Sequence, residues 1–290
     1  MDKPYVLTEN DNFAVVFKPH KMHTSFVSSV RKNVKLENHT EIKNISENIS
    51  NNGNMTLHEW YAASNLHVFD VMHRLDYETH GLVLFAKNET SYNFFIAAQD
   101  RGEFIKEYSA VCCMDHNLAH NNFSNNNSSI NSRDFHDVTV TAAGFPESPA
   151  FNFESLHKKP FFIESFFRPY GQGRKLVRPV IDDSKKHKEI AKDKGGFYKT
   201  EISNINDNIF TVRIKRGFRH QIRCHLCWIG YPIVNDPLYS SGYSHNKTES
   251  HSDFLALRSH ALFFPDPNSG KQCEFRISPL NKVPGTASSI

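Results

Sequence analysis

Arg74 and Asp76 stand two positions apart in the run His73-Arg74-Leu75-Asp76, shortly before the apolar stretch Gly81 to Ala86. A carboxylate in a turn held by a buried strand is placed where catalytic groups usually lie. Taken alone, Asp76 reads as an ordinary turn or cap aspartate. Glu78 lies two residues further on and raises paired-carboxylate hydrolysis as an alternative. A second cluster runs from Gly217 to Tyr239, with Arg219 and Arg223 one helical turn apart beside an apolar stripe of Ile222, Leu226 and Ile229. An arginine directed inward from such a helix needs a carboxylate, because a buried unpaired charge costs several kcal/mol. Asp76 is a natural candidate for that partner. Cys224 and Cys227 form a single C-x-x-C with no second pair, and Cys112 and Cys113 are adjacent. These thiols read as small buried hydrophobes rather than as a zinc or redox site.

The elements that position these groups follow from periodicity and punctuation. Phe13 to Lys18 reads as a strand ended by Pro19. Leu57 to Ala63 fits a short helix capped by Thr56, and Gly81 to Ala86 is a buried strand. Asn88 to Arg101 is a helix with Tyr92, Phe95, Ile96 and Ala98 near one face. Strands are predicted over Phe104 to Cys113, Phe161 to Phe167, Gly196 to Ile202, Ile209 to Ile214, Leu255 to Phe264 and Cys273 to Ile277. His220 to Ile229 is a helix. Runs of strands with few helices predict an α+β fold with a mixed, mostly antiparallel central sheet and flanking helices. There is no glycine-rich phosphate loop.

Composition sets limits around that core. Hydrophobic residues make up 39% of the 290 and charged residues 22%, both low for a globular chain. The deficit is filled largely by asparagine, concentrated at about 28–54 and 115–150. Both stretches lack an apolar period and read as polar insertions in one domain spanning 1–290. No apolar run approaches the length of a membrane span. The first residues do not resemble a secretory signal, and five cysteines agree with a reducing compartment, so a cytoplasmic location is expected. Net charge is only +3. Its distribution says more: His157 to Thr200 holds twelve Lys or Arg against five Asp or Glu, and Arg213 to Arg223 holds five with no acid. Interleaved with Phe166, Phe167, Tyr170 and Phe218, these runs predict a phosphate-binding surface.

His73 to Lys87 (HRLDYETHGLVLFAK) resembles the HRLD-x-x-T-S-G-L-L-hydrophobic-A-K motif of the RluA-like RNA pseudouridine synthases. Arg216 to Tyr239 (RGFRHQIRCHL…GYPIVNDPLY) is similar to that family's G-R-T-H-Q-I-R-x-H-L…G-x-P-I-x-G-D-x-x-Y block. VLTENDNFAVVFKPHKMHT resembles its opening strand pair and Lys-Pro motif, KEYSAVC its K-x-Y-x-A-x-V strand, and LRSHALFFPDPNSGKQCEF its closing element. The order along the chain also agrees. Five positions depart from the pattern: His80 replaces Ser, Phe218-Arg219 replaces Arg-Thr, and Lys21 and Asn235 each replace Gly.

The resemblance implies the pseudouridine synthase catalytic fold with a central active-site cleft, and no S4-type RNA-binding domain at the N-terminus. It implies Asp76 as the essential aspartate, Tyr108 as the active-site tyrosine and Arg223 as the basic partner of the aspartate. Arg74, Arg219, His220 and Ile222 become candidate substrate-binding residues, with Arg74 reaching into the RNA stack. It implies no metal and no organic cofactor. The partner is RNA, ribosomal slightly before transfer RNA, with the protein acting as a monomer without an obligate protein partner or a membrane. Cleaving a glycosidic bond leaves positive character on the sugar, which a single carboxylate can attack, relieve of a proton or stabilise. A nearby arginine keeps that carboxylate ionised against the effect of burial. The target base must first leave its stack. Two other readings compete: an inactive RNA-binding protein of the same fold, and a hydrolase using Asp76 and Glu78.

Overall fold

The computed structural model describes residues 3–25, 55–64, 68–112, 160–181, 197–239 and 254–281. The Asn-rich stretches at 28–54 and 115–150 lie outside these residues. The chain divides into two compact units, one of Met1–Lys106 with Ser259–Ser278 and one of Glu107–Arg258 with Pro279–Ile290.

The first unit is built on strands β1 (Tyr5–Glu9), β2 (Phe13–Lys18), β3 (Asp70–Val71), β4 (His80–Ala86), most of β10 (Leu257–Pro265), and β11 (Gln272–Arg276). Their order is β1-β2-β4-β10, with β3 added to β4 and β11 to β10. β2 and β4 are antiparallel, with Val16 opposite Val83, and every residue of both is buried. That explains the unbroken apolar runs FAVVFK and GLVLFA: a strand covered on both faces has no polar alternation. Gly81 (φ +121°) is required at the start of β4, because a Cβ there would sit 2.2 Å from the Ser259 carbonyl oxygen.

Helix α1 (Leu57–Ser64) opens on a reciprocal cap. Thr56 Oγ1 accepts from the Glu59 amide at 3.2 Å, and the Thr56 amide donates to Glu59 at 2.8 Å. Helix α2 (Glu89–Asp100) is capped in the same way by Asn88 and Ser91. It buries Ser91, Phe95 and Ala98, while Ile96, expected on the inner face, is 38% exposed. One residue past Phe95 is a rotation of about 100°, which carries Ile96 out of the stripe. Phe95 joins Phe13, Phe104 and Phe264 in an aromatic core with edge-to-face contacts, 5.2 Å between the Phe13 and Phe264 centroids.

The second unit holds most of β5 (Ile105–Val111), with β6 (Phe161–Tyr170), β7 (Leu176–Val180), β8 (Tyr198–Asn206), β9 (Ile209–Ile214) and helix α3 (Gln221–Trp228). The order is β5-β9-β8-β6-β7. β6 pairs antiparallel with both β7 and β8, and β8 with β9. The inner residues of β6 and β8 meet α3. Ser165 Oγ lies 2.9 Å from His225 Nε2, Thr200 Oγ1 lies 2.8 Å from His225 Nδ1, and the Phe167 ring rests 4.8 Å from the His225 ring. All eight residues of α3 are buried, more than one apolar stripe would predict. Strand β7 was hidden in the sequence by its charges and proline (LVRPV).

Candidate active site

Asp76 sits half-buried in the connection from β3 to β4. That connection is fastened on both sides of Asp76 by the segment that leaves β2. Before it, the Leu75 amide donates to Thr24 Oγ1 at 3.1 Å, and the Thr24 hydroxyl lies 3.1 Å from the Leu75 carbonyl. After it, Lys18 Nζ donates to the Tyr77 carbonyl at 3.2 Å, and the His20 ring nitrogen lies 2.6 Å from the Glu78 carbonyl. The Thr79 amide closes the turn onto the Asp76 carbonyl at 3.1 Å. The carboxylate is thus carried on backbone held at four consecutive residues, Leu75 to Glu78, an arrangement that preorganises a reactive group.

Lys18 is fully buried, and its ammonium also donates to the carbonyls of Pro19 (2.9 Å) and Met22 (2.7 Å). Three acceptors use all three ammonium protons. Burial pulls this lysine down to about 7, while the charges of Asp76 and Glu78 oppose the shift. A strand-ending lysine before proline gave little hint of this; only the fold shows that it turns back to the loop. His73 is fixed differently. The Leu84 amide donates to its Nε2 at 3.2 Å, so that nitrogen carries no proton, and burial and Lys106 push the ring well below the usual histidine range. Arg74 is exposed, Glu78 is half-buried and His80 is buried.

In the second unit, Arg223 is fully buried on α3 and forms a bidentate ion pair with Asp236, Nε to Oδ2 and Nη2 to Oδ1, both 2.7 Å. The carboxylate that makes this fork stands thirteen residues along the same segment, a partner that the sequence reading did not single out. Asp236 Oδ1 also accepts from the amides of Leu238 (2.9 Å) and Tyr239 (3.1 Å). The Asp236 carboxylate is therefore satisfied in the way a buried pair requires. Tyr239 lies under the guanidinium, 5.5 Å from its ring centre, and its hydroxyl is 3.3 Å from His220 Nδ1. The signal for Asp236 was present in the Asn-Asp-Pro step after the helix.

Tyr108 is buried on β5, and Ile222 is buried on α3. Arg219 is exposed and its Nη2 donates to the Arg174 carbonyl at 2.5 Å. Cys224 and Cys227 are free thiols that donate to the carbonyls of Val177 and Tyr239, and burial pushes Cys224 well above the usual thiol range. Among the described residues, no group of three or more His, Cys, Asp or Glu side chains is arranged to hold a metal ion. No described helix is long and apolar enough to cross a membrane.

Two of the departures from the family pattern have a visible backbone meaning. Lys21 (φ 55°) and Asn235 (φ 60°) both occupy the left-handed region, where glycine is at ease and asparagine is tolerated. The glycine that the motif prefers at each site is explained by that conformation. A family model described as RNA pseudouridylate synthase matches residues 12–228, a span that contains both the Asp76 loop and α3. The chain belongs to the RNA pseudouridylate synthase family. Its motifs are those of the RluA-like group. Among relatives, an uncharacterized RNA pseudouridine synthase of Mycoplasma genitalium is 33% identical over 89 residues, 30% of this chain and 28% of that protein. Ribosomal large subunit pseudouridine synthase D of Blochmanniella floridana is 22% identical over 187 residues, 64% of this chain and 43% of that protein. The chain thus spans less than half the length of these two curated relatives. The solved structure of human RNA Pseudouridylate Synthase Domain Containing 1 superposes with a TM-score of 0.53 at 14% identity, covering 95% of this chain and 83% of that one. That likeness shows the pseudouridine synthase fold, an α+β fold as expected.

Proposed function

We propose that this chain is an RNA pseudouridine synthase that isomerises uridines in structured RNA, ribosomal RNA before transfer RNA, with Asp76 as the essential residue. The observation that carries the reading is the HRLD aspartate itself, half-buried on a loop whose backbone is held on both sides, in a chain matched by this family's model. In the isomerisation the N1–C1′ bond breaks, the uracil turns, C5 bonds to C1′, the proton on C5 leaves and N1 takes one up, so the product has the same atoms as the substrate. Asp76 meets the positive character that develops on the sugar when the first bond breaks. Lys18, buried beside the loop, holds its ammonium on the Tyr77 carbonyl next to Asp76. Tyr108 offers the base a flat partner and a hydroxyl. Arg74 takes the place of the extruded base in the stack.

RNA as the partner is supported by the charge pattern of the second unit. Arg168 stands directly opposite Arg178 across β6 and β7. Two guanidinium-bearing residues in register concentrate positive charge on these strands. Ribosomal RNA is favoured because a matched relative is named a ribosomal large subunit enzyme. The reading includes action as a monomer in the cytoplasm. The test is to incubate the purified protein with unmodified ribosomal and transfer RNA and map pseudouridine. New pseudouridine at discrete ribosomal positions is expected. Binding without any new pseudouridine would favour the inactive RNA-binding reading, and release of free uracil would favour the hydrolase.

A further inference from the structure

The loop that carries Asp76 also carries an aromatic ring that the chemistry does not use. Tyr77 is 40% exposed, and its ring lies 4.7 Å from that of His23, tilted by 39°. His23 is exposed as well, and Arg74 is exposed three residues before Tyr77. Both rings stand on fixed backbone. The His23 carbonyl accepts from the Leu57 amide at 2.8 Å and the next carbonyl from the His58 amide at 3.0 Å, while the Tyr77 carbonyl accepts from Lys18 Nζ. A water-facing aromatic pair on rigid backbone, adjoining a reactive carboxylate and a cation, has the features of a stacking surface: flat apolar area for a base, and positive charge for the phosphate beside it.

We infer that Tyr77, backed by His23, is a stacking platform for a nucleobase of the RNA next to the target uridine, and so a determinant of which sequence contexts are accepted. The inference rests on the proposed RNA activity for its biological meaning. It is tested first by binding, which does not depend on turnover.

The affinity of a fluorescent single-stranded oligoribonucleotide is measured for the unaltered protein and for Tyr77→Ala, Tyr77→Phe and His23→Ala, with intact RNA and with RNA carrying one abasic position at a time. About a tenfold loss is expected in Tyr77→Ala, a smaller loss in His23→Ala and none in Tyr77→Phe, in line with the stacking of about one base. Removing one particular base should cost the unaltered protein about the same factor, and should cost Tyr77→Ala nothing further. Equal affinity for Tyr77→Ala and the unaltered protein would overturn the platform, and so would an abasic penalty that persists in Tyr77→Ala. On an RNA that the protein modifies, Tyr77→Ala should raise KM about tenfold and leave kcat within about twofold. A fall in kcat with unchanged KM would instead place Tyr77 in the chemistry. Absence of turnover by the unaltered protein would count against the proposed function while leaving the binding result to decide the platform.

Discussion

The molecule holds its two most telling charged groups in opposite ways. Asp76 is half-buried on a loop, and the fixing is done to the backbone around it, by Thr24, Lys18 and His20 from a single neighbouring segment. Arg223 is fully buried on a helix, and the fixing is done to its side chain, by both oxygens of Asp236. The first arrangement fixes the loop that carries the carboxylate. The second uses a carboxylate to make an arginine part of the second unit's interior. A motif aspartate and a motif arginine can thus be equally prominent in sequence and differ in what their loss would do.

The contrast is broken most directly at Arg223. Arg223→Met leaves Asp236 buried without its cation, and should lower the unfolding free energy by about 3–5 kcal/mol. Asp76→Asn, at a half-exposed loop position, should change it by no more than about 0.5 kcal/mol. Chemical denaturation of both variants measures the difference. Comparable losses would mean that Asp76 is as structural as Arg223.

Lys18 sharpens the account of the loop. Its ammonium loses its proton as pH rises through about 7, removing positive charge from beside Asp76. The catalytic efficiency kcat/KM should therefore fall above that pH. Lys18→Met should sit roughly tenfold lower at pH 6, the effect of about 1.4 kcal/mol on a barrier, and should meet the unaltered protein near pH 9. Stability runs the other way. The folded pKa lies below the ordinary value of 10.5, so between about 7 and 10.5 the unfolded chain binds more protons and the contribution of Lys18 to stability rises with pH. Parallel pH profiles for the two proteins would show that Lys18 acts only as packing.

The smallest effect is expected at Lys21, which holds a left-handed backbone conformation at φ 55°. Lys21→Gly should stabilise by about 1 kcal/mol in thermal or chemical unfolding, since glycine relieves a strain of that order. Asn235→Gly should gain less, because asparagine tolerates the conformation.

Most of the architecture was legible because its signals are local. FAVVFK and GLVLFA are unbroken apolar runs, Thr56 and Asn88 are caps, and Pro19 ends a strand. Strand β7 was not legible, because Arg178 and Pro179 obscure the alternation that buries Val177. Of the candidate residues, Asp76, Tyr108 and Arg223 were visible as motif positions. Asp236 was not singled out as a partner of Arg223 because a bidentate pair is made by three-dimensional proximity, and Asp236 is brought back to α3 by a turn whose geometry the sequence does not print. Lys18, Thr24 and His20 were passed over for the same reason: they act on carbonyls and amides of a loop more than fifty residues away.

The central claim is that Asp76 is the essential group of an RNA-isomerising site. It is tested most directly by following pseudouridine formation under single-turnover conditions, with the unaltered protein and with Asp76→Asn, on an RNA that the unaltered protein modifies. The account predicts that Asp76→Asn remains folded, binds that RNA with affinity within a fewfold of the unaltered protein, and forms pseudouridine at least about 10³-fold more slowly, the scale on which losing an essential catalytic side chain is felt. Pseudouridine formation by Asp76→Asn at the rate of the unaltered protein would contradict it.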